Sequence, residues 1–344
     1  MRKSVAYGIV SAAMSVCLTT LGLELAVRVY RAGLLQPGGP EYHPRLGWIP
    51  KPGQVRNDGW TSNVDECRVR SNGRSIATAS RPILAVGDSF AFGDEVDDGE
   101  TWPAYLEEIL NKRVINAGVG GYGIDQAFLR AELLLDEYDP DVVILSLISD
   151  DINRTELSHY SYGRGWKPYF EYEDGALVLR NVPVPPQEQE PIARSFQALH
   201  RVLGYSVLAD AVFNRIAREW WQDLPAKGQI HHDGEEIGVE LLVRLASLTK
   251  SRRGQFIAIA LATNGRIGGN ARLPNFVRRA RENGVEVLDL STEVLKLLPS
   301  EQRSLFRRGG HYSPAMNRSV AEHIAAFLRE RRIRSPSEQP RTVS

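Results

Sequence analysis

A lone serine follows an apolar run: Pro82-Ile83-Leu84-Ala85-Val86 leads directly into Gly87-Asp88-Ser89. Where a buried strand enters a glycine-marked turn, a serine hydroxyl stands in the position of a nucleophile. At its free pKa it is weak, so it needs a general base and donors for a developing oxyanion. His311 lies in Gly309-Gly310-His311-Tyr312-Ser313-Pro314, ahead of the last predicted helix. Asp88 is read as a hydrogen-bonding support for the nucleophile turn. Each residue also has a plain structural reading: Ser89 as a helix cap, His311 as a structural histidine, Gly121 as a turn glycine at positive φ. His231-His232-Asp233 resembles a metal motif on paper, but it lies in a polar linker where Asp233 suits a helix N-cap, so no metal is expected.

Alternating elements position these residues. Strands are predicted at 83–86, 114–116, 142–148, 256–262 and 285–290, and helices at 102–111, 125–138, 237–248, 274–282 and 315–331. The alternation implies βαβ units and a parallel five-stranded sheet in a three-layer α/β/α domain over 82–334. Residues 154–235 form an insertion after the third strand, with a hairpin at 169–179 turning on Asp174-Gly175 and an amphipathic stretch at 193–221. At the carboxyl end of a strand, such an insertion is placed to become a lid or substrate wall, or else a packing subdomain or oligomer contact. Trp220-Trp221 is read as core or interface rather than a sugar platform, and the polar tail 335–344 as disordered.

The 344-residue chain, 42% hydrophobic and 24% charged, is long enough to bury a full core. Forty-two basic residues balance forty-two acidic ones and no basic stripe interleaves with aromatics, so nucleic acid is not an expected partner. Cys17 and Cys67 lie in dissimilar segments, which argues against a disulfide, and Cys17 fits a lipidation signal poorly; no cofactor is expected. Residues 5–23 are nineteen positions without a charge, flanked by Arg2 and Lys3 and by Glu24, Arg28 and Arg31. That length suits an uncleaved transmembrane anchor within 1–32, with the remaining domain periplasmic or extracellular. Basic residues on both flanks leave the orientation open. Residues 33–81, rich in Gly, Pro, Asn and Arg, read as a tether and packing segment.

Together these landmarks resemble the SGNH, or GDSL-like, hydrolase superfamily, over about 82–330. Gly87-Asp88-Ser89 matches the first of its blocks, the loop Asn116-Ala117-Gly118-Val119-Gly120-Gly121-Tyr122-Gly123 the second, and His311 the last. The anchor, His43-Pro44-Arg45-Leu46-Gly47-Trp48 and the run 94–103 look like a membrane-tethered bacterial branch. The resemblance implies a flavodoxin-like fold, Ser89 as nucleophile, His311 as base, and an oxyanion hole from the amides of Ser89 and Gly121 with a side chain at position 150. Two departures stand out. The family's oxyanion asparagine is replaced by Asp150, followed by Asp151, and a carboxylate is acceptor-only unless protonated. The aspartate two or three residues before the histidine is replaced by Arg308 and Gly309. Asp289, Asp150 or Asp151 are the candidates to orient the imidazole instead, and a Ser-His dyad is the remaining option.

The resemblance implies an esterase, or an O-acyl hydrolase or transferase, on acylated small molecules or glycans. A different class, a catalytically degenerate glycan-binding or assembly protein of the cell envelope, is motivated by the two departures. A lipase or thioesterase would call for a strongly apolar insertion, and this one mixes Arg, Glu and Tyr throughout.

Overall fold

The structure, a computed structural model, describes residues 14–15, 18–25, 40–57, 59–74, 76, 80–160, 165–186, 212–213, 230, 233–264, 270–292 and 304–331. The chain divides into two compact units, one of 1–37 with 189–227 and one of 38–188 with 228–344; the architecture below belongs to the second. Among the described residues no helix is long and apolar enough to cross a membrane. Most of the expected anchor at 5–23, the stretch 193–221 with Trp220-Trp221, the pair His231-His232 and the tail 335–344 lie outside the described residues or nearly so.

Two antiparallel hairpins come first: β1 (Glu41–His43) with β2 (Gly47–Ile49), and β3 (Gly53–Asn57) with β4 (Trp60–Val64). They fall inside the stretch read as a tether, where short strands leave no sustained period. Leu46 and Trp48 are fully buried against the domain, and Arg70 bridges to Asn116 at the sheet edge.

The main sheet is built from β5 (Ile83–Val86), β6 (Val114–Asn116), β7 (Val142–Leu147), then, after two further hairpins of the insertion, β12 (Gln255–Ala260) and β13 (Val287–Asp289). Those hairpins are β8 (His159–Tyr160) with β9 (Gly165–Trp166), and β10 (Tyr169–Glu173) with β11 (Ala176–Arg180). The sheet order is β13-β12-β7-β5-β6, every pair parallel. The helices are α1 (Ser89–Phe92), α2 (Trp102–Leu110), α3 (Ile124–Tyr138), α4 (Ser149–Thr155), α5 (Gly234–Ser251), α6 (Leu273–Glu282) and α7 (Pro314–Glu330).

Alternation along the strands explains the three layers. Leu84, Val86, Val143 and Leu145 pack with α3, α5 and α6, while Ile83, Ala85, Val142 and Ile144 pack with α2 and α7. Both faces are covered, so the strands read as continuous apolar runs. Helix α5 extends past the predicted 237–248 at both ends because its first turn, Gly234-Glu235-Glu236, is polar and carries no apolar period. Asp233 takes the N-cap position there without a side-chain capping bond, contrary to the sequence expectation.

The strand order reverses at β5, between β6 and β7. Ligand sites of open α/β sheets form at the carboxyl ends of strands beside such a switch point. The turns after β5, β6 and β7 carry Ser89, Gly121 and Asp150.

Candidate active site

Ser89 begins α1, the four-residue helix immediately after β5, and Asp88 caps it by accepting the Phe90 amide at 2.9 Å. Gly87, at φ +150°, leaves no room for a side chain: a Cβ there would meet the Ser146 carbonyl at 2.5 Å. The nucleophile turn is therefore pressed against β7.

His311 sits in a turn closed by a bridge between Phe306 and Tyr312, with its ring 5.3 Å from that of Phe90. Its Nε2 lies 2.9 Å from Ser89 Oγ, and its Nδ1 lies 3.0 Å from Glu95 Oε2. Serine, imidazole and carboxylate form one hydrogen-bonded chain, from three positions separated by up to 222 residues. The same carboxylate accepts the amides of Gly309 at 2.7 Å and His311 at 3.2 Å.

This corrects the expected source of the orienting acid. Asp289 is engaged with Ser291, accepting its amide and hydroxyl at 2.9 and 2.6 Å. Asp150 and Asp151 both pair with Arg154. Glu95 fills the role from the loop after α1, and Gly309 makes the space for it. A Cβ on Gly309 would stand 2.7 Å from the Glu95 carboxyl group. The position from which the family's aspartate is missing is where a carboxylate from another loop enters.

Burial opposes ionisation of Glu95, but hydrogen bonds from His311 and the amides of Gly309 and His311 outweigh it and bring its pKa down to about 2. Burial alone would lower His311; its bond to Glu95 and the charges of Asp94, Asp88 and Glu95 raise it above its ordinary 6.5. A base paired with a fixed anion is the arrangement that stabilises an imidazolium as the serine proton arrives.

Glu95 has φ +68°, a backbone conformation few non-glycine residues adopt. Buried Arg70 holds it there. The guanidinium donates to the carbonyls of Phe92 at 2.8 Å, Gly93 and Val96 at 2.6 Å, and to the Asp98 carboxylate at 3.2 Å. Its N–H groups bracket the loop that carries Asp94 and Glu95. Arg307 adds a bond to the Glu95 carbonyl at 3.0 Å.

The loop after β6 is held as closely. A Cβ on Gly118 would lie 2.2 Å from the Phe92 amide nitrogen, so this glycine lets the loop lie against α1. Trp48 donates from Nε1 to the Gly120 carbonyl at 3.1 Å and accepts the Tyr122 hydroxyl on its own carbonyl at 2.6 Å. Gly121 has φ +82°, and a side chain there would strike the Tyr160 ring at 2.8 Å.

Behind the nucleophile turn, Arg154 joins three carboxylates: Asp88 at 3.3 Å, Asp150 at 2.7 Å and Asp151 at 2.8 Å. Asp151 also accepts the Ile148 amide at 3.0 Å. Burial pushes the Asp88 and Asp151 carboxyls up, with Arg154 opposing in both cases. Through this cluster α4 is tied to the cap of α1. Asp150 is engaged with Arg154 and accepts a bond from Asn153 at 3.3 Å, which answers its charge without supplying a donor toward the serine.

Residues 85–231 match the GDSL-like Lipase/Acylhydrolase family. The chain carries a GDSL-like lipase/acylhydrolase domain. It is 31% identical over 82 residues to an arylesterase of Vibrio mimicus, an alignment covering 22% of this chain and 41% of that protein, so less than half of the relative's length is matched. Two solved structures are similar at 14% identity and a TM-score of 0.41: the lipase/acylhydrolase from Enterococcus faecalis and a catalytic mutant of an acetylxylan esterase from Geobacillus stearothermophilus. Each covers 74% of this chain and 96% of its own.

The fold thus brings Ser89, His311 and the Gly121 loop to one end of the sheet, with Asp88 and Asp151 paired to Arg154. Sequence reasoning missed Glu95, Arg70 and Arg154. The signal nearest to hand was Gly309 itself, a residue without a side chain where a carboxylate belongs, but nothing local points from there to position 95.

Proposed function

We propose that the chain is a serine esterase acting on esters of small acyl groups with hydroxyl-rich, carbohydrate-like alcohols. The observation that carries it is the chain Ser89 Oγ to His311 Nε2 at 2.9 Å and His311 Nδ1 to Glu95 at 3.0 Å. Ser89 attacks the ester carbonyl and gives its proton to His311. Glu95 stabilises the imidazolium, the amides of Ser89 and Gly121 take the oxyanion, and His311 returns the proton to the leaving alcohol. The name of the curated arylesterase relative agrees with ester chemistry.

A cavity of about 140 Å³ is lined by Asp94, Phe92, Val119 and Gly120 together with Lys51 and Trp60 of the N-terminal hairpins. That is below the usual range of about 300–1,000 Å³ for ligand pockets. A larger cleft of about 710 Å³ is lined by Phe128, Phe170 and Arg244 among others, and neither space includes the serine, histidine or glutamate in its lining.

The uncharged stretch 5–23 supports anchoring of this activity at a membrane. The test of the whole reading is intact-mass analysis of the full chain after a fluorophosphonate probe, beside Ser89→Ala and His311→Ala. One adduct lost in both variants is expected. A folded chain that forms no adduct over a range of pH would overturn the esterase and leave a glycan-binding protein on the same cleft.

A further inference from the structure

A second carboxylate flanks the imidazole. Asp94 Oδ2 lies 3.8 Å from His311 Nε2, on the opposite side of the ring from Glu95. That distance is too long for a hydrogen bond, so Asp94 is not a rival orienter. It is short enough for one oxygen atom to sit about 2.8 Å from both groups at once.

The position of Asp94 is fixed. Its amide donates to the Ser89 carbonyl at 3.1 Å, and the carbonyls on either side of the Asp94-Glu95 pair are held by Arg70. Its side chain is part exposed and lines the cavity of about 140 Å³, a space that holds several waters at about 30 Å³ each. The Arg70 guanidinium gives its hydrogen bonds to carbonyls and Asp98, and the Asp94 oxygen nearest the imidazole is an acceptor.

We propose that Asp94 selects against an alcohol with a single hydroxyl as the acceptor of the acyl group, in favour of water or of an alcohol with a second hydroxyl to give. The proposal rests on Ser89 being the nucleophile. Once Ser89 carries the acyl group, the acceptor must give a proton to His311 Nε2 as its oxygen attacks the carbonyl. The tetrahedral adduct then collapses, the carbonyl carbon to Ser89 Oγ bond breaks, and the imidazolium returns its proton to Oγ. Water has two hydrogens, one for Nε2 and one for Asp94 Oδ2. A monohydric alcohol has one, and after giving it to Nε2 it turns a lone pair toward a carboxylate that cannot donate. The same oxygen position is favourable for water and repulsive for a monohydric alcohol, while the hydroxyl-rich leaving alcohol of the acylation step, whose oxygen takes that position in reverse, has a second hydroxyl to give to Asp94.

The experiment is product partitioning. The full chain is given an aryl acetate with propanol, and separately with glycerol, and free acetate is measured against propyl or glyceryl acetate. Partitioning occurs after the acyl-enzyme forms, so it is independent of how well any variant acylates. With propanol the native chain is expected to release acetate almost exclusively. Asp94→Asn, whose amide can donate to an alcohol oxygen, is expected to raise the propyl acetate fraction at least about fivefold, the scale of one net hydrogen bond. An unchanged fraction overturns the proposal. So does transfer to propanol by the native chain that is as efficient as its transfer to glycerol. If Ser89 takes no fluorophosphonate, the esterase reading itself has failed, and that outcome is read from the adduct rather than from the partition.

Discussion

The two positions where this chain departs from its family's pattern have opposite fates. At Gly309 a carboxylate is missing, and Glu95 supplies one from the loop after α1. At Asp150 a donor has become an acceptor, and Arg154 pairs with the charge without restoring a donor. The imidazole needs only an anion on its Nδ1, and any loop that passes close enough can provide it. An oxyanion donor has to point at one particular spot from a rigid element, and a salt bridge behind that element does not replace it. Losing a charge is easier to repair from elsewhere in the fold than losing a directed N–H.

The sharpest way to break this comparison is at Glu95. Glu95→Gln is expected to lower kcat by about 10²–10⁴, the range seen when a triad acid is made neutral. Removing the anion makes the imidazolium less stable, so the acid limb of the kcat/KM profile is expected to move to lower pH. Adding Gly309→Asp to Glu95→Ala is expected to recover part of the loss, whereas Gly309→Asp alone, placed against the Glu95 carboxyl, is expected to reduce activity. Equal activity of Glu95→Ala with and without Gly309→Asp would show that the two positions are not interchangeable sources of the same charge.

A second prediction concerns the cluster behind the nucleophile. Arg154→Ala leaves Asp88 and Asp151 buried without their cation, and is expected to destabilise the domain by about 3–5 kcal/mol in denaturant melts. Both carboxyls are already pushed up by burial, and the variant pushes them further. A raised carboxyl pKa means the folded protein binds more protons than the unfolded chain, so the variant's stability is expected to fall as pH rises from the unfolded value of about 4 toward the raised one. A loss that is flat with pH would show that these carboxylates ionise freely in the fold.

The smallest effect is expected at the other half of the comparison. Asp150→Asn removes a negative charge from the place of a donor while Arg154 keeps Asp88 and Asp151. Esterase kcat/KM is expected to rise, by up to about tenfold, with the acid limb unmoved. A large loss would assign the carboxylate a direct part in the chemistry.

The alternation of apolar strands with helices, read from residue 82 onward, determined the parallel sheet by itself, because strand and helix periods are local properties of the chain. Gly87-Asp88-Ser89 and His311 were legible for the same reason, as short motifs at the ends of such elements. The hairpins at 41–64 were not, since strands of three to five residues carry too few periods to register. The partner of His311 was decided only by the tertiary structure. Glu95 lies 216 residues from the histidine, in a loop whose strained backbone is held by Arg70 from outside the predicted domain. A hydrogen bond depends on where atoms lie and not on sequence distance, and the space that admits Glu95 is defined by an atom Gly309 lacks.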